Sequence, residues 1–308
     1  MTKLKFKKAI VTGGAGFIGS HITERLLNEG VKVIVIDDLS EGKWSNLPES
    51  KNLTKYEGSI TEKNIGRLFK GVDVVFHLAA LPRVQRSIKY PMETHEVNVT
   101  GTLNMLLMAR DYGVKKFIFS SSSSVYGEQD KLPFTETMTP HPLSPYGLHK
   151  LIGEEYCKLF SRLWGISTVC LRYFNVYGPR MYPDGAYANL LPKFIKLMRN
   201  GKIPIINGDG EQTRDFTYVS DVVNANLLAA ESNLSGEVIN IGSGKNISVN
   251  KVVGIINKLL GTNIKPIHGP AVIEPRSTLA DRSKAKRLLG WEPKIELLNG
   301  IKTMIYSH

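Results

Sequence analysis

Short apolar runs alternate along the chain with longer segments in which apolar residues recur every three or four positions. The runs predict buried strands, and the recurrent spacing predicts helices that bury one face. The predicted strands cover residues 8–12, 31–36, 53–57, 72–77, 117–120 and 167–171. Helical spacing runs through Ile22, Leu26 and Leu27, and covers about residues 61–69, 94–112 and 145–164. Strands separated by helices of this length predict an α/β protein with a parallel, doubly wound sheet.

The regular alternation of strand and helix patterns ends after Pro179, where proline and glycine residues separate shorter elements. This change predicts a smaller C-terminal lobe from about residue 176 onward. Residues 215–219 and 238–241 have the composition of strands that rejoin the first sheet. The expected division is a first domain of residues 1–175 plus roughly 213–245, and a lobe of roughly 176–212 and 246–308.

A glycine-rich turn joins the first predicted strand to the first helix. Residues 13–19 read GGAGFIG, and the second strand ends at Asp37. Gly13 would permit a tight turn, Gly16 would let the backbone approach a pyrophosphate, and Gly19 would let helix and strand pack closely. Asp37 would accept hydrogen bonds from an adenosine ribose. This order predicts dinucleotide binding, and the acid favours NAD over NADP because it would repel a 2′-phosphate.

Tyr146 and Lys150 stand four positions apart in the helix that starts near residue 145, so both side chains fall on one helical face. An ammonium group one turn away stabilises a phenolate and would lower the tyrosine pKa from about 10 toward neutral pH. Taken alone, this spacing is more typical of an ordinary helix surface, and the motifs around it favour the chemical interpretation. Five consecutive serines, residues 120–124, follow a predicted strand and are expected at the sheet edge where ligands bind.

Composition places the chain among ordinary soluble proteins. It has 308 residues, of which 42% are hydrophobic and 22% charged. No apolar run approaches the length of a membrane span and no cleavable leader is present, so we expect a cytoplasmic protein without a membrane partner. Cys157 and Cys170 lack metal or redox spacing and are interpreted as small buried apolar residues.

The net charge of +12 raises the possibility of nucleic-acid binding. The lysines are scattered singly and in pairs, so we expect a solvated basic surface and no nucleic-acid partner; an anionic small substrate would benefit from the same field. No metal site is expected, because His77 and His149 have no second ligand at metal spacing. His77 is interpreted as a strand-end hydrogen-bonding residue and His149 as an exposed helix residue.

Together, the glycine turn, Asp37, the serines, Tyr146 and Lys150 resemble the extended short-chain dehydrogenase/reductase family, over essentially the whole chain. Within it the chain is most similar to nucleotide-sugar 4-epimerases, particularly those acting on UDP-N-acetylglucosamine. The motifs that carry this likeness are LRYFNVYG at residues 171–178, DGAYA at 184–188 and NGDGEQTRDF at 207–216.

The resemblance implies a Rossmann-type NAD domain, a UDP-sugar-binding lobe and a reaction through a transient 4-keto sugar. Tyr146 would be the acid and base at the sugar 4-hydroxyl, Lys150 would bind the nicotinamide ribose and lower the tyrosine pKa, and Ser122 would bond the same hydroxyl. NAD would remain bound as a catalyst. Its binding residues would be Gly13, Gly16, Phe17, Ile18, Gly19, Asp37, Ser59, Ile60, Leu78, Ala79, Ala80, Asn98, Tyr146, Lys150 and Tyr173.

The same resemblance implies a set of substrate-binding residues: Ser122, Ser124, Asn175, Asn189, Leu190, Arg214 and Thr278. Thr278 stands where bulk excludes an N-acetyl group, so we expect UDP-N-acetylglucosamine and UDP-N-acetylgalactosamine to be accepted, and also UDP-glucose and UDP-galactose. Two positions depart from the family. Ser59 replaces an adenine-binding aspartate, and Ala271 replaces a diphosphate-binding arginine whose role Arg276 could take.

Several alternatives stay open at this point. Related dehydratases carry an Asp-Glu pair, and decarboxylases a glutamate, where this chain has Ser123 and Ser124, which favours epimerisation. An epimerase limited to UDP-glucose or UDP-glucuronate, another NAD-dependent nucleotide-sugar reductase or dehydratase, or an RNA-associated protein remain alternatives. The helices at about 94–112 and 145–164 resemble the pair that forms a four-helix homodimer interface in the family.

Overall fold

The computed structural model describes residues 4–182, 190–272 and 274–306. Within these residues the strands are β1 (Lys8–Thr12), β2 (Lys32–Asp37), β3 (Leu53–Glu57), β4 (Val74–His77), β5 (Lys116–Ser122), β6 (Ser167–Tyr173), β7 (Val176–Tyr177), β8 (Ile205–Asn207), β9 (Thr213–Asp215), β10 (Thr217–Tyr218), β11 (Glu237–Ile241), β12 (Asn246–Ser248) and β13 (Ile267–Gly269).

The α-helices of the same residues are α1 (Phe17–Asn28), α2 (Val84–Lys89), α3 (Pro91–His95), α4 (Thr102–Asp111), α5 (Pro145–Trp164), α6 (Leu190–Arg199), α7 (Val219–Glu231), α8 (Val249–Leu260), α9 (Ser283–Leu289) and α10 (Leu297–Tyr306). Short 3₁₀ helices cover Trp44–Asn46, Lys63–Phe69 and Ser123–Val125, and a π-helical turn covers Glu96–Gly101. No described helix is long and apolar enough to cross a membrane.

The central sheet is parallel, with seven strands in the order β11-β6-β5-β4-β1-β2-β3 among the described residues. From β1 the chain builds outward first through β2 and β3, then on the other side through β4, β5 and β6. The order therefore reverses beside β1, which opens a crevice at the carboxyl ends of β1 and β4. The expected doubly wound, Rossmann-type α/β fold is confirmed.

Apolar side chains fill both faces of this sheet. One cluster packs α1 and α7 against it, and a second packs α4 and α5 against the other face. A separate cluster joins α6, α8 and α10 in the C-terminal part of the chain. The free thiols of Cys157 and Cys170 lie buried within the α4–α5 cluster, as small apolar residues would.

Of the two segments expected to rejoin the first sheet, only one does. Residues 238–241 do join the central sheet, as part of β11 beside β6. Residues 215–219 do not, because β9 pairs antiparallel with β12 and β10 pairs with β7. Asp215 explains the placement, since its buried carboxylate accepts hydrogen bonds from the backbone of Ser243, Gly244 and Ala280 and holds β9 away from the central sheet.

Two predicted helices are also irregular. Lys63–Phe69 is a 3₁₀ helix with Gly66, a poor helix former, at its centre. The predicted helix at 94–112 is α3 and α4 joined by the π-helical turn that contains Asn98. By contrast, β5 and β6 are longer than predicted, because Ser121 and Ser122 pair with Arg172 and Tyr173 in the ladder.

Candidate active site

A cleft of about 740 Å³ runs from the carboxyl ends of β1, β4 and β5 toward α6, β8 and β9. It brings together most of the residues singled out from the sequence. Those that line it are Gly13, Gly16, Phe17, Ile18, Gly19, Asp37, Ile60, Leu78, Ala79, Ala80, Ser122, Ser124, Tyr146, Lys150, Tyr173, Asn175, Leu190, Arg214 and Thr278. Asn189 lies outside the described residues.

The glycine turn has the shape that a pyrophosphate requires. Gly13 has φ 66°, and a Cβ there would stand 2.8 Å from the backbone nitrogen of Ala79. A Cβ on Gly19 would overlap the carbonyl oxygen of Gly13. Because α1 begins directly after this turn, its unpaired N–H groups face the cleft. The residues present therefore fit a dinucleotide.

Asp37 braces this turn from the end of β2. Its Oδ2 accepts the Ala15 backbone N–H at 2.8 Å, and its Oδ1 accepts that of Leu39 at 2.9 Å. Burial raises the pKa of Asp37, whereas these backbone hydrogen bonds lower it. The carboxylate reaches the cleft at the position where a ribose hydroxyl could donate to it.

Hydrogen bonds also hold the loop after β4, which forms the opposite wall. The Thr12 hydroxyl oxygen accepts the N–H groups of Leu78 and Ala79, each at 3.2 Å, and its hydroxyl lies 2.7 Å from His77 Nδ1. Burial, with a smaller effect of the Lys150 charge, lowers the pKa of His77 to about 3, so the ring is neutral at pH 7. The expectation of a hydrogen-bonding strand-end histidine is confirmed.

Two of the predicted cofactor residues, Ser59 and Asn98, are not among those that line the cleft. Asn98 accepts from the Leu81 N–H at 2.7 Å and donates to the Leu81 carbonyl at 3.2 Å, so it supports the wall from behind. The Ser59 hydroxyl lies 2.8 Å from that of Thr61 and also accepts the Thr61 N–H. Neither side chain lines the cleft.

The start of α5 sets the position of Tyr146 and Lys150. Ser144 caps the helix by accepting the Gly147 N–H, Pro145 occupies the first turn, and the Tyr146 N–H donates to the Ser87 hydroxyl. Lys150 is 5% exposed, and its Nζ donates to the Ser120 carbonyl oxygen at 2.7 Å. The helix therefore presents both side chains to the end of β5.

The electrostatics of this pair differ from the expectation. Burial raises the pKa of Tyr146 to about 12, and the effects that lower it are a hydrogen bond with Ser122 and the charge of Arg83. Lys150 Nζ lies 5.9 Å from the centre of the tyrosine ring. Burial lowers the pKa of Lys150 to about 8. Both groups are thus held in a desolvated pocket that favours their neutral forms.

The serines after β5 supply hydroxyls and no carboxylate. Ser122 donates to the Ser124 hydroxyl at 3.0 Å and accepts the Ser124 N–H at 3.1 Å. Ser120 donates at 3.1 Å to the Tyr173 hydroxyl, which in turn donates to Asn226 on α7. The serine run therefore forms the end of β5 and the start of the 3₁₀ helix that follows it, both along the cleft.

Asn175, Arg214 and Thr278 meet at the far end of the cleft. Asn175 donates to the Asp215 carbonyl at 3.1 Å and to the Thr278 hydroxyl at 3.4 Å. Arg214 Nη2 lies 2.8 Å from a carboxylate oxygen of Glu274. This end thus carries a cation, an amide and a buried hydroxyl.

Arg276 does not take the place left by Ala271. Its guanidinium makes two hydrogen bonds of 2.8 Å to the Asp209 carboxylate on the surface and does not line the cleft. Arg180, which sequence reasoning missed, does line it and pairs with Glu24 of α1 at 2.6 Å. Its backbone has φ 67°, a conformation that no sequence signal predicts for arginine.

His149 is buried, contrary to its predicted exposure. It is 4% exposed, because α3 and the π-helical turn cover this part of α5. Its ring lies 5.4 Å from that of His95 and its Nδ1 3.5 Å from the Asn98 amide. Burial, together with His95 and Lys150, lowers its pKa to about 4.

The fold and the glycine turn define a protein of the dinucleotide-binding class, and a tyrosine, a lysine and a serine line the same cleft as that turn. The NAD dependent epimerase/dehydratase family model matches residues 9–242. The chain therefore belongs to that family, as its sequence motifs indicated, and is an enzyme that uses NAD.

Three relatives share almost its full length. A UDP-N-acetylglucosamine 4-epimerase from Methanobrevibacter ruminantium M1, solved with UDP-N-acetylmuramic acid, is 38% identical with a TM-score of 0.95, over 98% of each chain. A UDP-glucose 4-epimerase from Thermotoga maritima, solved with UDP-glucose, is 43% identical with a TM-score of 0.93, over 97% of each chain. A UDP-glucuronate 4-epimerase from Thermodesulfobacterium geofontis is 37% identical over 96% of this chain and 94% of the relative.

Proposed function

We propose that this enzyme is an NAD-dependent UDP-sugar 4-epimerase. The observation that carries the proposal is the position of Tyr146, Lys150 and Ser122 between the glycine turn and Arg214, within one continuous cleft. A sugar nucleotide lying along the cleft would thus meet a proton-transfer group next to the cofactor cradle. The names of the three relatives agree with this chemistry.

Each residue has a separate task in the proposed reaction. Bound NAD would accept a hydride from the sugar and return it. Tyr146 takes the proton of the sugar hydroxyl and returns it, Ser122 hydrogen-bonds the same oxygen, and Lys150 holds the nicotinamide ribose. Arg214 serves the diphosphate as a charge-assisted donor, which requires it to exchange its Glu274 partner for the ligand.

The cleft gives no support to a dehydratase. Elimination of water from the ring needs an additional acid and base next to the tyrosine. The corresponding positions, Ser123 and Ser124, carry hydroxyls that line the cleft. Epimerisation needs only the groups that are present.

We propose that the substrates include UDP-N-acetylglucosamine and UDP-N-acetylgalactosamine. Thr278 lines the cleft, is 5% exposed and accepts a hydrogen bond from Asn175. Because its side chain is small, it leaves space in the cleft at this point. We also propose activity on UDP-glucose and UDP-galactose, because a pocket that admits the acetamido group has room for a hydroxyl.

One observation favours a uronate as a second candidate. Arg83 lines the cleft close enough to Tyr146 for its charge to lower the tyrosine pKa. The Arg83 guanidinium pairs with Glu41 at 3.3 Å, and it would bind a 6-carboxylate by exchanging that partner for the substrate. UDP-glucuronate is therefore the alternative substrate to test.

We propose that the enzyme is a cytoplasmic homodimer that pairs through α4 and α5. These helices pack on each other, and α5 leaves Leu148 47%, Leu163 57% and Trp164 45% exposed. A second copy would cover such side chains. Light scattering should give twice the monomer mass, and a monomer that retains full activity would contradict the pairing.

The decisive experiment incubates the purified enzyme separately with UDP-N-acetylglucosamine, UDP-glucose and UDP-glucuronate. NMR should show the 4-epimer accumulating to a constant ratio without net consumption of NAD. A 4-keto-6-deoxy product would indicate a dehydratase, and stoichiometric cofactor consumption a reductase. Either result, or no turnover of any of the three, would overturn the proposal.

A further inference from the structure

Three residues on one face of α5 contact three consecutive residues of β5. Tyr146 lies close enough to Ser122 for that hydroxyl to lower the tyrosine pKa, and Lys150 donates to the Ser120 carbonyl at 2.7 Å. Glu154, one turn further on, accepts the hydroxyl of Ser121 at 2.5 Å. The sequence drew attention only to the first two of these side chains, although the third continues the same spacing.

Glu154 is held in turn by Arg172 of β6. The Arg172 Nε and Nη2 groups donate to the two carboxylate oxygens at 2.8 and 2.7 Å, a bidentate ion pair. Glu154 is 0% and Arg172 3% exposed. Arg172 is also the ladder neighbour of Ser121 across β5 and β6.

Tyr126 fixes the other side of this ion pair. The centre of the guanidinium lies 4.5 Å from the Tyr126 ring centroid, which is a cation–π distance. The Tyr126 hydroxyl donates to Asn240 on β11 at 2.7 Å. Arg172 is therefore held between the Glu154 carboxylate of α5 and the Tyr126 ring, which Asn240 anchors to the sheet.

Stability alone gives little reason for such a pair. Desolvating two charges offsets most of their attraction, and apolar residues of similar volume usually stabilise a core equally well. What apolar residues cannot do is accept the Ser121 hydroxyl. The distinctive property of this carboxylate is thus its fixed direction toward the residue between the Lys150 and Tyr146 contacts.

We infer that Glu154, oriented by Arg172, is a positioning residue that fixes Ser121 and thereby sets the Ser122 hydroxyl against Tyr146. Glu154 does not touch the cleft, so it takes no part in proton transfer. The inference rests on the proposed catalytic role of Tyr146 and Ser122. Its expected effect is on kcat, because a small displacement of catalytic groups slows the reaction more than it weakens substrate binding.

The sharpest test is Ser121→Ala, which removes one hydroxyl and leaves the Arg172–Glu154 pair intact. We expect kcat to fall about tenfold while KM and the bound NAD content change less than about twofold. Ser121→Thr, which keeps a hydroxyl, should recover most of the rate. Crystal structures should show a longer distance from Ser122 Oγ to Tyr146 Oη in Ser121→Ala than in the wild type.

Thr168→Val is the matched control. Thr168 is buried on β6 and donates to the Cys157 carbonyl of α5 at 2.9 Å, so its loss removes a hydrogen bond between the same two layers. It lies away from the β5 serines. Thr168→Val should therefore lower Tm about as much as Ser121→Ala does and leave kcat unchanged. Equal kcat losses in Ser121→Ala and Thr168→Val would reduce the role of Ser121 to general stability and overturn the inference.

The two proposals fail in different ways. A wild-type enzyme without 4-epimerase activity would contradict the proposed function, and the crystallographic distance would still test the positioning role. An active wild type whose Ser121→Ala variant keeps both its kcat and the Ser122–Tyr146 distance would overturn the positioning role alone.

Discussion

Lys150 Nζ donates a 2.7 Å hydrogen bond to the Ser120 carbonyl oxygen, which ties α5 to the end of β5 two residues before Ser122. The ammonium group is thus directed at the backbone rather than at the Tyr146 hydroxyl. Burial of both side chains leaves the pKa of Tyr146 at about 12 and that of Lys150 at about 8. In the proposed reaction, proton transfer would therefore depend on the correct placement of the tyrosine hydroxyl itself.

Tyr146→Phe should lower kcat by about a hundredfold or more, on the scale of general acid and base catalysis. The ring and its packing are kept, so the variant should fold and retain NAD. Epimerisation rates measured by NMR, with cofactor content measured after denaturation, provide the test. Tyr156→Phe, on the same helix but outside the cleft, is the control; a normal rate in Tyr146→Phe would refute the assignment.

Gly19→Ala should abolish NAD retention, because the added Cβ would overlap the Gly13 carbonyl oxygen. Gly254→Ala offers a matched substitution, since a Cβ there meets nothing within 4 Å on helix α8. The control should gain about 0.5–1 kcal/mol in free energy of unfolding, as expected for alanine in a helix. Isothermal titration measures NAD binding, and thermal denaturation measures the stability of the control. Tight NAD binding by Gly19→Ala would show that the glycine turn does not bind the cofactor.

Thr278→Tyr should remove activity on UDP-N-acetylglucosamine and leave activity on UDP-glucose. The larger side chain would fill the space next to Asn175 that the acetamido group needs. Comparing kcat/KM for the two substrates gives the result, with Thr278→Val as a variant of nearly unchanged volume. Full N-acetyl activity in Thr278→Tyr would show that specificity is set elsewhere.

Lys116 should make stability depend on alkaline pH. Its Nζ donates to the carbonyls of Ser232 and Leu234, and burial lowers its pKa to about 8 from 10.5. Between these values the unfolded chain binds a proton that the native state has released, so this residue's contribution to stability rises with pH.

The comparison to make is the Tm of the wild type and of Lys116→Met across pH 7 to 10. The wild type should gain stability relative to the variant above about pH 8. The Tm of the wild type minus that of the variant should therefore rise with pH. If this value stays constant or falls across the range, the lowered pKa is contradicted.

Most residues that the sequence predicted for cofactor binding line one cleft. The glycine turn, Asp37 and the loop after β4 lie where the pattern placed them, because each is set by spacing along a short stretch of chain. Ser59 and Asn98 differ. The Ser59 side chain hydrogen-bonds Thr61, and the Asn98 side chain hydrogen-bonds the backbone of Leu81, 17 positions away.

What the sequence determined by itself was therefore local. Steric rules that act within one turn or one loop explain these features. They relate hydrophobic period to strands and helices, glycine positions to tight turns, and the four-residue spacing of Tyr146 and Lys150 to a shared helix face. Only the tertiary structure decided which distant residues meet. It paired Arg276 with Asp209, kept residues 215–219 out of the central sheet, and buried Glu154 against Arg172. These contacts join residues 18 to 67 positions apart, where chain geometry imposes no preference and the packing of whole layers selects the partner.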